Sequence, residues 1–145
     1  MEAMQRRLVE HRKSGVYRAV TMPEGLLAAA QALGLAVRKL DAASIKTKSQ
    51  FLGLLGRALT FPSWYGRNWD ALEDCLTDLS WIEDGGLLVE VEGYATYAQA
   101  DPDGFAILLD IFKTSAEYWR SEGRPFWVIF TGAHAAKLEL PLLLL

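Results

Sequence analysis
Asp70, Glu73, Asp74 and Asp78 place four carboxylates in one short stretch, with the rings of Trp64, Tyr65 and Trp69 just before them. Three kinds of chemistry suit such a set. Oxygen donors could hold a divalent cation, a carboxylate pair could supply acid and base to a sugar, or the patch could meet a basic protein surface. The rest of the sequence gives the first two no support. His11 and His134 are far apart and lack metal-ligand spacing, and neither a phosphate-cradling glycine loop nor a nucleophile elbow is present. No cofactor or metal is expected, and the chain is not expected to be an enzyme. Large rings beside a localised charge are what interface centres favour over ordinary surface. A plain amphipathic helix with an acidic solvent face would carry the same charges, so it is the aromatic loop that turns the reading toward binding.

Two elements must position these groups. Pro62 fixes one backbone angle and Gly66 permits a positive φ, so the chain between them is expected to turn sharply and hold Trp64 and Tyr65 in a compact loop. Asn68 suits the N-cap of the helix that follows. From Trp69 onward, Leu72, Cys75, Leu76 and Leu79 recur at the three- and four-residue spacing of a buried stripe. Asp70, Glu73, Asp74, Thr77 and Asp78 project from the other side, and Asp70 and Asp74 stand one above the other. Asp70 gains from the positive end of the helix dipole, while the neighbouring carboxylates repel one another. Cys75 falls on the buried stripe between acidic neighbours, which disfavours a reactive thiolate.

The run Pro-x-Trp-Tyr-Gly-x-Asn-x-Asp-Ala-Leu-x-Asp-Cys-Leu-Thr, from Pro62 to Thr77, resembles the signature of the barstar family of intracellular inhibitors of barnase-type ribonucleases. The resemblance extends over about residues 35 to 131, leaving an N-terminal extension (1–34) and a C-terminal tail (132–145) outside it. It implies a plug for the active site of a basic, extracellular-type ribonuclease, with contact residues Trp64, Gly66, Asn68, Trp69, Asp70, Glu73, Asp74 and Thr77. In that reading Asp74 stands where an RNA phosphate would lie, and Asp70 pairs with a second basic group. Gly66 lets the loop backbone approach closely, and Trp64 stacks over the catalytic base or a nearby ring. The chain also departs from the family pattern. Glu73 stands where the family has an aromatic residue and Trp69 where it has an aliphatic one, which points to a different cognate partner. The family's last helix adds an acidic residue, but the best-aligned position here is Thr114, with Asp110 and Glu117 on nearby turns, and that role stays unassigned. The alternative is an acidic binding module for a regulatory partner that is not a nuclease.

Composition bounds the rest. A chain of 145 residues, 51% hydrophobic, suits one domain with a substantial core. A net charge of −3 argues against general nucleic-acid binding. The lone cysteine excludes an internal disulfide framework and suits a reducing compartment. Residues 1–14 are basic without the hydrophobic middle of a secretory signal, so a cytoplasmic location is expected, with the segment solvated or frayed.

Strands are expected at Val16 to Met22, Leu35 to Leu40, Leu87 to Val91 and Phe126 to Thr131. Helices are expected from Pro23 to Leu33, from Thr47 or Ser49 onward through Ala58, from Asn68, and from about Asp103 to Arg120. Gly93 to Pro102 reads as a crossing loop. This alternation predicts an α/β fold, a small mostly parallel sheet flanked by helices in two or three layers, with the extra N-terminal strand at an edge. The six leucines of Leu138 to Leu145 are too few to span a bilayer; a strand, a dimer contact or a flap over a groove all suit them, and a contact with the chain's own core is the favoured expectation.

Overall fold
A computed structural model describes residues 13–62, 65–80, 85–132 and 138–143, together with Arg6 and Leu8. Its centre is a sheet of four parallel strands, β1 (Val16–Ala19), β2 (Ala36–Asp41), β3 (Leu87–Glu92) and β4 (Phe126–Thr131), in the order β1-β4-β3-β2. The two central strands, β3 and β4, are buried on both faces. This explains why Leu87 to Val91 and Phe126 to Phe130 read as nearly continuous apolar runs without polar alternation.

The two faces carry different covers, giving three layers. On one side Leu87, Val89, Val91, Phe126, Val128 and Phe130 meet α2 (Lys48–Ala58), α3 (Trp69–Asp78), α4 (Ala95–Ala100) and α5 (Pro102–Ser121). On the other side Leu88, Trp127 and Ile129 meet α1 (Leu26–Ala32) through Leu26, Ala29 and Ala30. Fully buried rings such as Phe51, Phe112 and Phe130 each contribute about 1.5–3 kcal/mol by leaving water. Glu90 interrupts the second face near the end of β3, buried, with its Oε2 accepting the Thr131 hydroxyl at 2.8 Å.

Several boundaries differ from the sequence reading. α1 starts at Leu26 rather than Pro23, because Gly25 takes φ 80° and the Pro23 carbonyl closes a turn onto the Leu26 N–H. Its far end matches expectation: Gly34 is left-handed (φ 82°), and the Leu35 and Gly34 amides return to Ala30 and Gln31, a Schellman closure. The segment expected to be a loop after Gly93 contains α4, since Tyr94 and Tyr97, three residues apart, both enter the core. α5 starts at Pro102, its N-cap being Asp101, whose Oδ1 accepts the Gly104 amide at 3.1 Å.

Both ends of the described chain contact the sheet. Leu8 is buried and its carbonyl accepts the Trp127 indole N–H at 3.1 Å, so this part of the basic segment is packed rather than frayed. His11 lies outside the described residues. The C-terminal segment pairs beside β1 at Leu142, with the Arg18 amide donating to the Pro141 carbonyl at 3.0 Å and the Leu143 amide to the Arg18 carbonyl at 2.9 Å. Leu140 and Leu143 enter the two cores. β1 is therefore an edge strand of the sheet with its outer side partly covered.

The approach of Gly86 to its neighbours gives a stability test. A Cβ there would lie 2.6 Å from the Pro125 carbonyl oxygen and 2.7 Å from a Leu35 methyl, whereas at Gly85 the nearest atom would be 3.8 Å away. Urea denaturation should show Gly86→Ala destabilised by about 2–3 kcal/mol and Gly85→Ala changed by less than about 0.5 kcal/mol. Equal midpoints for the two variants would contradict this packing.

Candidate protein-binding surface
α3 is fastened at both ends. Asn68 is extended (φ −133°, ψ 169°) and its Oδ1 accepts the Ala71 amide at 2.8 Å, satisfying one orphan donor as the sequence predicts. Leu72, Cys75 and Leu76 are fully buried along the inner side. Near the C-terminus, the Trp119 indole N–H of α5 donates to the Leu76 carbonyl at 2.7 Å, taking up one of the carbonyls the helix itself leaves unpaired. Leu79 then turns left-handed at φ 48° and ends the helix.

What remains outside is a carboxylate face. Asp70, Glu73, Asp74 and Asp78 are exposed, and Thr77 is half-buried beside them. Among the described residues, no lysine or arginine nitrogen lies within 4.0 Å of these carboxylates. The Thr77 hydroxyl donates to the Glu73 carbonyl at 2.8 Å, so its proton is used within the helix and its lone pairs face outward. Among the described residues no group of three or more His, Cys, Asp or Glu side chains is arranged to hold a metal ion.

The preceding loop is built differently from the sequence reading. The positive φ falls on Arg67, at 53°, and not on Gly66. Gly66 supplies space instead, since a Cβ there would approach the side-chain Nδ2 of Asn68 to 3.2 Å. The chain reverses one residue later, immediately before the cap. Tyr65 is a strut: its hydroxyl donates to the Leu52 carbonyl at 3.1 Å, and its ring packs edge-on against Phe61 at 4.8 Å. Burial raises its hydroxyl pKa well above the ordinary tyrosine range, with Cys75 adding to the rise and Arg67 opposing it. Trp69 is half-buried against the core, with the Lys48 ammonium 5.1 Å from its ring centre. Trp64 lies outside the described residues, as does His134.

α5 packs on α3, and besides the three positions left unassigned above its outer side carries Tyr118, which the sequence reading did not single out. Asp110, Thr114 and Glu117 are exposed on α5, and so is Tyr118, at 40%. The Tyr118 hydroxyl pKa is raised, first by its hydrogen bond to Glu122 and then by charge, including that of Asp78. The position of Tyr118 off the apolar stripe of α5 was the available signal.

A parallel sheet that carries an exposed acidic helix on one of its faces defines a small α/β protein. Residues 35–131 match the family described as Barstar (barnase inhibitor), and the chain belongs to that family. β1 and α1 precede the matched region. No curated protein matches the chain. Among solved structures, the chain resembles the Aeropyrum pernix ORC2 protein in its ADPNP and ADP complexes, with a TM-score of 0.53 and 17% identity. The match covers 94% of this chain and 41% of that one, and at this identity it concerns the α/β fold alone.

Two measurements check this mounting of α3. Asn68→Ala should cost about 1 kcal/mol in denaturant unfolding, the ordinary loss of an N-cap. Burial, with Asp74 and Asp78 behind it, pushes the Cys75 thiol up to about 11. Only the thiolate reacts readily, so an aromatic disulfide reagent at pH 8 should label the native protein at least tenfold more slowly than the urea-unfolded chain. Equal labelling rates would show the inner side of α3 to be open.

Proposed function
We propose that this protein inhibits a basic, secreted-type ribonuclease by laying α3 and the loop before it across the enzyme's RNA-binding cleft. The observation that carries the reading is the row of exposed carboxylates on a helix whose other side is locked by Asn68, Leu72, Leu76 and Trp119. A rigid anionic face presents charge without the entropy cost of ordering it on contact. Membership of a family described as a barnase inhibitor supports the same reading.

In this reading Asp74 takes the place of an RNA phosphate, Asp70 engages a second basic group, and Glu73 extends the patch between them. Gly66 and Asn68 bring backbone and side-chain donors to the partner's edge, Thr77 offers its lone pairs, and Trp64 and Trp69 supply aromatic contact. The protein works by binding and not by turnover, and needs no cofactor. It acts in the cytoplasm, where it would protect host RNA from a nuclease before export. Among the described residues no helix is long and apolar enough to cross a membrane.

The test is inhibition of RNA cleavage by a panel of basic secreted ribonucleases, with wild type and Asp74→Ala in parallel. Stoichiometric inhibition is expected, with the variant weakened by about 2–5 kcal/mol, a general range for truncated charge pairs to which barnase–barstar pairs themselves belong. Its folding stability should change by less than about 0.5 kcal/mol, since Asp74 is exposed. Unchanged inhibition by the variant would remove Asp74 from the mechanism. Lack of inhibition across the panel, with binding to a basic protein of another kind, would favour the regulatory module instead. Raising the salt should slow association much more than it speeds dissociation, because steering acts over distances that ions screen. A salt-independent association rate would count against electrostatic capture.

A further inference from the structure
Beside the acidic helix the surface changes sign. Gly53 forms the floor between two adjoining grooves of about 340 and 380 Å³, and Arg57 and Arg67 line both of them. A Cβ on Gly53 would lie 3.3 Å from Arg57 Nη1 and 4.0 Å from Arg67 Nη1, so the two guanidinium groups converge on the same small space. Both residues are exposed, and among the described residues neither has a carboxylate oxygen within 4.0 Å.

The convergence is built in. Arg67 holds a left-handed backbone (φ 53°) between the loop and the Asn68 cap, which fixes where its side chain departs. Tyr65, tied to the Leu52 carbonyl, shares the lining of one groove with both arginines. Arg57 comes from the last turn of α2. Two like charges are thus held near each other above a residue that has no side chain to separate them.

We propose that this groove accepts a carboxylate side chain of the docked protein partner, forming a second and oppositely charged contact next to α3. The inference rests on the inhibitor reading for the identity of the partner, but not for the chemistry of the groove. Two guanidinium forks match the two oxygens of a carboxylate. A polyanion is the poorer occupant, because the exposed carboxylates Asp70, Glu73 and Asp74 on the helix that follows Arg67 repel further phosphates. A protein surface can place one acidic side chain among basic ones, and a partner with positive groups opposite α3 and one acid opposite Arg57 and Arg67 would fit only in one register.

The groove can be tested without a nuclease. Blocked glutamate (N-acetylglutamate amide) is titrated into the protein while the arginine Nε–Hε signals are followed by NMR. The signals of Arg57 and Arg67 should move together and saturate, blocked glutamine should not move them, and Arg57→Gln should weaken the effect at Arg67 at least fivefold. Gly53→Glu, which introduces an acid on the floor itself, should abolish it. Absence of a glutamate-specific shift overturns the proposal, and so does tighter binding of a six-residue single-stranded oligonucleotide by the same two arginines.

A second arm uses any ribonuclease that the wild type inhibits. The Arg57→Gln, Arg67→Gln double variant should raise the inhibition constant at least fivefold, and a smaller change overturns the proposal while leaving the inhibitor reading intact. If no ribonuclease is inhibited but the glutamate shifts appear, the groove stands and the inhibitor reading falls.

Discussion
The hydrogen bond from the Trp119 indole to the Leu76 carbonyl joins the acidic helix to the element that fixes its position. α5 lies along the sheet through Leu108, Phe112 and Ala116, and α3 lies on α5. An unpaired carbonyl near a buried helix end would cost on the order of 1–3 kcal/mol, so the indole both satisfies the last turn and sets its register. With Asn68 closing the other end, α3 has little freedom to rotate about its axis. The direction of its carboxylates is therefore a property of the fold and not of the individual side chains.

That fixed direction has an electrostatic consequence. Asp70, Glu73, Asp74 and Asp78 oppose one another, and the buried Leu72, Cys75 and Leu76 hold the helix together in spite of it. Arg57 and Arg67 repeat the pattern with the opposite sign on the neighbouring ridge. Two adjacent patches, each repulsive within itself, are relieved together only by a surface carrying the complementary pattern. In the proposed inhibitor, discrimination among basic proteins would rest on the arrangement of charge more than on its total amount.

The chain also adds material to both margins of the family-matched region. β1 joins β4, the C-terminal segment joins β1, and Leu8 closes over Trp127. α1 supplies the cover on the sheet face opposite α3. These additions sit away from the acidic helix and bear on how the sheet is enclosed. The proposed interface draws on the loop, α2, α3 and the exposed edge of α5.

Periodicity and capping were enough to find the four strands, α2, α3 and most of α5, because each has a strong apolar pattern or an evident cap. The carboxylate row on α3 was legible for the same reason: i, i+3 and i+4 spacing on a helix is a local property. Local signals failed where long-range packing decides. Tyr94 and Tyr97 make α4 helical because a core lies beneath them, and the left-handed turn falls on Arg67 rather than Gly66, immediately before the Asn68 cap. The same holds for the buried Leu8 and for the meeting of Arg57 with Arg67 over Gly53. By itself the sequence determined the elements with a strong apolar period or an evident cap and which side chains those elements turn outward. The tertiary structure decided which of those outward groups share a surface, since that depends on how separate elements are brought together.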